Sequence, residues 1–78
     1  MNYRLELDLK HDTENINKLL LVDIENLKSD RSKIILKKED EGLKIIIESL
    51  DATSLRAAVN NVLKVLQIYE RSKVMKNE

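Results

Sequence analysis

"SKIILKKEDEGLKIIIES", residues 32–49, decides the fold. Two short runs rich in isoleucine flank an acidic tip. Isoleucine is β-branched, stiff at χ1, and packs well on a pleated surface. The runs therefore read as two strands, about 32–39 and about 42–49, joined at "EDEG" as a hairpin. Gly42 is the only glycine of the chain and is available for a positive φ. The second run, "LKIII", is apolar enough for a central position in a sheet.

The flanking segments complete the pattern. Upstream, "NYRLELDLK" alternates: Tyr3, Leu5, Leu7 and Leu9 share one face, and Arg4, Glu6, Asp8 and Lys10 the other. A strand over about 3–10 with one face in water follows. "HDTENINKLLLVDIENLKS" then changes period. Asp12 or Thr13 can cap a helix over about 13–28, because their oxygens accept from free N–H groups of the first turn. At ~100° per residue, Ile16, Leu20, Ile24 and Leu27 fall on one stripe. Downstream of the hairpin, Asp51 caps a long helix over about 52–74. Arg71, Lys73 and Lys76 suit the negative pole of its dipole, and the last few residues are expected to fray.

The order is β-α-β-β-α in one domain, residues 1–78. The first helix carries the chain back, so strand two runs parallel to strand one and strand three opposes both. An all-antiparallel sheet then has the order 1-3-2. Both helices cover one face, because strand one offers a single apolar face. The expected class is α+β, a two-layer sandwich. Strands one and two are edges. Lys33, Lys37 and Lys38 protect strand two from promiscuous pairing, or that edge pairs with another copy.

Composition narrows function. The chain has 78 residues, no cysteine, one histidine and a formal net charge of zero. Disulfides and thiolate zinc sites are excluded. A core this small supplies little net stability, so partners are expected to help. The neutral balance argues against a dedicated polyanion binder. Tyr3 and Tyr69 are the only aromatics, too few for a base-stacking sheet. No apolar run reaches membrane-spanning length and no signal-peptide core follows the start, so a soluble cytoplasmic protein that avoids membranes is expected.

"SLRAAVNNVLKVLQIYE", residues 54–70, carries more apolar residues than one core face needs. Leu55, Val59, Val62, Leu66 and Tyr69 form the expected core stripe. Beside it runs a second stripe of Ser54, Ala57, Ala58, Asn61, Val65 and Ile68. Either the first helix covers this stripe or another chain does, since a continuous apolar strip is rarely left in water. Leu21 and Val22 show the same surplus on the first helix. Two such helices on one layer look like half of a larger helical bundle. Arg56, Lys64 and Arg71 recur on one face of the long helix: a solvated face, or a contribution to a polyanion site shared with other subunits.

Reaction chemistry is not visible. The chain holds no nucleophile elbow, phosphate loop or metal-ligand spacing, so no enzyme, cofactor or metal is expected. Glu39, Asp40 and Glu41 lack the alternating oxygens of a calcium loop and read as a solvated hairpin tip. His11 reads as a surface residue. The element order resembles part of a KH-type RNA-binding fold, but Gly42 alone cannot supply a GxxG clamp.

"LRAAVNNVLKVL" resembles the signature helix of the small Pcc/CTAG family, the dimerisation subunit of the KEOPS complex. Leu55, Arg56, Ala57, Asn60 and Leu63 match. Asn61, Val62, Lys64 and Val65 depart from the usual serine, aromatic, arginine and aromatic. The element order, the length and Asp51 before the helix also fit. The departures leave room for a divergent paralogue. The resemblance implies a homodimer, or a heterodimer with a related small subunit, docked through its helices on the KEOPS catalytic subunit. KEOPS makes N6-threonylcarbamoyladenosine in tRNA, and the small subunit bridges copies and assists tRNA binding without catalysing. The implied partner surface is Ser54, Ala57, Ala58, Asn61, Val65 and Ile68 with Leu21 and Val22. Arg56, Lys64 and Arg71 would meet tRNA or an acidic partner. Lysine at 64 loses the planar fork of arginine. The rival readings are an autonomous small RNA-binding domain and a homodimeric interaction module with an unrelated partner.

Overall fold

The chain runs β1 (Tyr3–Leu9), α1 (Thr13–Leu27), β2 (Ser32–Glu39), β3 (Gly42–Ser49) and α2 (Ala52–Lys76). A computed structural model describes residues 1–11, 13–27 and 29–76, and the side chains of all these except 24–27 and 73–76. The cap expected at Asp12 and the fraying expected of the last residues, Asn77 and Glu78, lie outside the described residues. So do the side chains of Ile24, Leu27, Lys73 and Lys76. The three strands form an antiparallel sheet in the order β1-β3-β2, an α+β fold as the hairpin and the alternating first strand imply.

Register follows from the pleat. Leu43, Ile45, Ile47 and Ser49 of β3 point toward the helices and are buried. Leu9, Leu7, Leu5 and Tyr3 sit opposite them on β1, and Lys38, Leu36, Ile34 and Ser32 on β2. Ile16 and Leu20 of α1 and Ala58, Val62, Val65 and Tyr69 of α2 close the core from above. Each fully buried Leu, Ile or Val contributes about 1.5–3 kcal/mol by leaving water.

The opposite sheet face is charged. Lys44 of β3 stands directly across from Lys37 of β2, a pairing that repels. Carboxylates offset it: Lys44 Nζ lies 3.6 Å from Glu39 and 4.0 Å from Glu6, and Arg4 lies 3.2 Å from Glu6. Ile35 and Ile46 pair on this same face, and Ile46 is buried there, outside the main core.

Gly42 corrects one expectation. Its backbone is not in the left-handed region; what it needs is space. A Cβ at this position would sit 2.5 Å from the carbonyl oxygen of Leu9. The single glycine thus lets β3 begin tight against the end of β1.

A polar pin fastens α2 over the sheet. Asp51 accepts a hydrogen bond from the backbone N–H of Ser54 at 2.7 Å, the expected cap. Ser32 Oγ donates to the carbonyl oxygen of Ser54 at 3.2 Å. With its own hydrogen so used, Ser32 accepts from Ser49 Oγ at 2.7 Å. Ser32 and Ser49 are both buried, so the chain β3–β2–α2 is joined through two satisfied hydroxyls. Leu50 N–H donates to the carbonyl of Arg31 at 3.0 Å, and Asn2 Nδ2 donates to the carbonyl of Leu50 at 3.2 Å.

Candidate interaction surface

The surplus apolar residues of the helices are divided by the structure. Ala58 and Val65, read from the wheel as part of the second stripe, are 4% and 7% exposed. They pack with Val62 and Tyr69 in the chain's own core. Leu55, Val59 and Leu66, expected at the centre of the core stripe, are only half-buried. The buried arc of α2 is thus turned by roughly 50° from the expected one, at ~100° per residue. The reason lies in what α2 touches. It packs against β3, β2 and α1 together, so its buried arc must extend to the side where α1 lies. Small Ala58 allows that close approach.

What remains of the second stripe is open. Ala57 and Asn61 are exposed, Ser54 is half-buried, and Ile68 is 54% exposed. On α1, Leu21 and Val22 are 52% and 76% exposed, with Leu19 exposed beside them. Ile16 and Leu20 hold α1 to the core, so Leu21 and Val22, one and two positions on, must point outward.

Arg56, Lys64 and Arg71 are all exposed. At ~100° per residue they share the face of α2 opposite its buried arc. The fold therefore offers apolar side chains on its helix layer and three cations on the outer face of α2.

Sequence reasoning missed two features. One is the Ser32–Ser49–Ser54 pin; the available signal was a serine at a core-facing parity on each strand. The other is β1, where Tyr3 and Leu5 face the helix layer yet remain 45% and 41% exposed. The helices lie over β3 and β2, and of β1 only Leu7 and Leu9 pack against the core.

Among the described residues no group of His, Cys, Asp and Glu is placed to hold a metal ion. An open depression of about 340 Å³ at the hairpin tip is lined by Asp8, Lys10, Glu39, Asp40 and Glu41, charged groups facing water. No described helix is long and apolar enough to cross a membrane.

No curated protein matches the chain. The family model described as "Transcription factor Pcc1" matches residues 2–73, which is nearly the whole chain: β1 to β3 complete, and α2 up to residue 73. The chain therefore belongs to the Pcc1 family, the family of the small KEOPS subunit.

Proposed function

We propose that this protein is a non-catalytic scaffold subunit of KEOPS, working in the cytoplasm. It pairs with itself or with a related small subunit, and docks on the catalytic subunit through its helix layer. There it assists tRNA binding while the catalytic subunit forms N6-threonylcarbamoyladenosine. The observation that carries this reading is the exposed apolar set Leu21, Val22 and Ile68 on the helices of a Pcc1-family chain. Fully burying side chains of this size is worth about 1.5–3 kcal/mol each, so a partner helix seated on them gains substantially. Arg56, Lys64 and Arg71 support a contribution to a tRNA surface completed by other subunits. Zero net charge disfavours autonomous RNA binding by this chain.

The test is co-purification with the catalytic subunit. Val22→Glu and Ile68→Glu change exposed residues, so the chain keeps its fold by circular dichroism. Each is expected to weaken capture at least about tenfold, because a charge is forced into an apolar contact. Undiminished capture by the double variant would sink the docking assignment. Ala58 and Val65 are unsuitable for this purpose, since substitutions there strike the chain's own core.

A further inference from the structure

We propose that β2 is the edge at which this chain takes up an acidic extended segment of a partner protein. The segment adds antiparallel to β2 as a further strand of the sheet, with its carboxylates set against Lys37 and Lys38. This surface is separate from the helix layer and stands or falls independently of the docking assigned there.

The backbone supplies the first observation. β2 pairs with β3 on one side only. Leu50 N–H donates to the carbonyl of Arg31 at 3.0 Å, so odd-numbered residues along β2 turn their N–H and C=O groups toward β3. Those of Ile34, Leu36 and Lys38 turn outward, because the two directions alternate along an antiparallel pair. Ser32 N–H is taken by the carbonyl of Ser29 at 3.4 Å, so the open row begins at Ile34. Alternating donors and acceptors are matched by another extended chain. A phosphate backbone offers acceptors alone.

Charge is the second observation. Lys37 stands directly across from Lys44 of β3, and like charges so placed repel. Glu39 and Glu6 lie with Lys44, at 3.6 and 4.0 Å. Lys38 stands across from Leu43. Both Lys37 and Lys38 are exposed, and among the described residues neither enters an ion pair. Lys33 is better provided, since Glu48 stands across from it. The unanswered charge therefore sits at the hairpin half of the edge, where a carboxylate on an added strand would offset it.

The third observation is apolar. Ile34 and Leu36 on the helix side, and Ile35 on the other, are half-buried. An open depression of about 530 Å³ lies at the start of the row, lined by Met1, Ser29, Asp30, Ser32, Lys33 and Ile34. The edge thus fits a segment that is acidic opposite Lys38 and Lys37, apolar opposite the next three residues, and apolar again at the depression. A second copy of β2 does not fit. Every antiparallel register of β2 against itself that overlaps by more than two residues sets a lysine opposite a lysine or an apolar residue.

The probe is a short peptide reading, from its N-terminus, threonine, glutamate, glutamate, valine, threonine, valine, leucine. Binding to the full chain is followed by amide NMR. The largest shifts are expected at Ile34, Leu36 and Lys38. Replacing both glutamates of the peptide by lysine should weaken binding roughly tenfold or more. The chain carrying Lys37→Glu with Lys38→Glu should reverse this preference and favour the lysine peptide. These two side chains are exposed, so the variant keeps its fold by circular dichroism. N-methylation of the valine that faces Leu36 removes a hydrogen bond to β2 and should also weaken binding at least roughly tenfold. An N-methylated peptide that binds undiminished means charge attraction without strand addition, and overturns the proposal. So do shifts centred on another element, a preference that the charge reversal leaves unchanged, or a glutamate peptide that fails to bind at millimolar concentration. Transfer RNA bound by the unmodified chain and lost in the double variant, with no binding of the peptide, overturns it in favour of RNA at these lysines.

Discussion

Ile47 and Leu5 are cross-strand partners on one face of one sheet, and they have opposite fates. Ile47 is 1% exposed and Leu5 is 41% exposed. One pair along, Ser49 is fully buried while Tyr3 opposite it is 45% exposed. The pleat gives β1 and β3 the same direction toward the helix layer, so direction is not the cause. Coverage is. α2 packs on β3 and β2, and α1 touches both, so Leu7 and Leu9 of β1 still pack against the core, while its Tyr3–Leu5 end lies beyond that shelter. An alternating strand therefore declares which face is apolar, and only its position in the layer decides whether that face is dry.

Truncating the two partners separates these effects. Ile47→Ala opens a cavity in a packed core and is expected to cost about 3–4 kcal/mol, within the range of large-to-small core changes. Leu5→Ala, measured at concentrations where the chain is monomeric, should cost about 1 kcal/mol, because much of the side chain is already wet. Urea unfolding of both variants checks this. Equal losses would mean that β1 is covered after all.

Ser49 probes the buried end of β3. Its hydroxyl donates to Ser32, and Ser32 donates to the carbonyl of Ser54 in the first turn of α2. Ser49→Ala removes one donor and leaves Ser32 with its bond to α2, so a loss of about 1–2 kcal/mol is expected. A loss in unfolding experiments as large as that of Ile47→Ala would show that the pin, and not apolar packing, holds α2 over the sheet.

Most of this architecture was legible because it rests on local periodicity. The switch from period 2 in "YRLELDL" to a helical period after His11, and the isoleucine runs around Gly42, fix the elements and the 1-3-2 order. Asp51 as the cap of α2 was legible too, from its place before an apolar helical stretch. The buried arc of α2 was not. A helical wheel ranks residues by apolar character, and Leu55 and Leu66 outrank Ala58 and Val65. Burial is decided by where α1 lies, which is tertiary information, and a small residue such as Ala58 is favoured where two helices approach closely. The same limit applies to Leu5, whose exposure depends on helices distant in sequence. Leu21 and Val22 were legible as surplus, because they directly follow Leu20 on α1 and cannot share its face. Gly42 was legible as special and misread in kind, since a close backbone approach leaves no mark in a single sequence that distinguishes it from a left-handed turn.

The smallest expected effect concerns the corner where β3 hands over to α2, and it appears only in acid. The Asp51 carboxyl is held below its ordinary value of 3.8. The backbone N–H of Ser54 is the main cause, followed by the Ser54 hydroxyl and Arg31, whose guanidinium lies 3.2 Å away. A carboxyl whose folded pKa is depressed stabilises the fold fully above its unfolded value. That stability is lost as pH falls through the lowered folded value. Asparagine at this position keeps an oxygen for the Ser54 N–H but has no charge for Arg31 and does not titrate. Asp51→Asn should therefore be close to the unmodified chain in Tm near neutrality, and slightly below it. On acidification below about pH 4 the gap should shrink toward zero, because only the unmodified chain loses a charged cap. The two proteins differ in this one carboxyl, so the difference between them isolates it. A gap that stays constant into acid would mean that the cap works through its neutral hydrogen bond alone. The start of α2, and with it the cover over β3, would then be insensitive to the charge at Asp51.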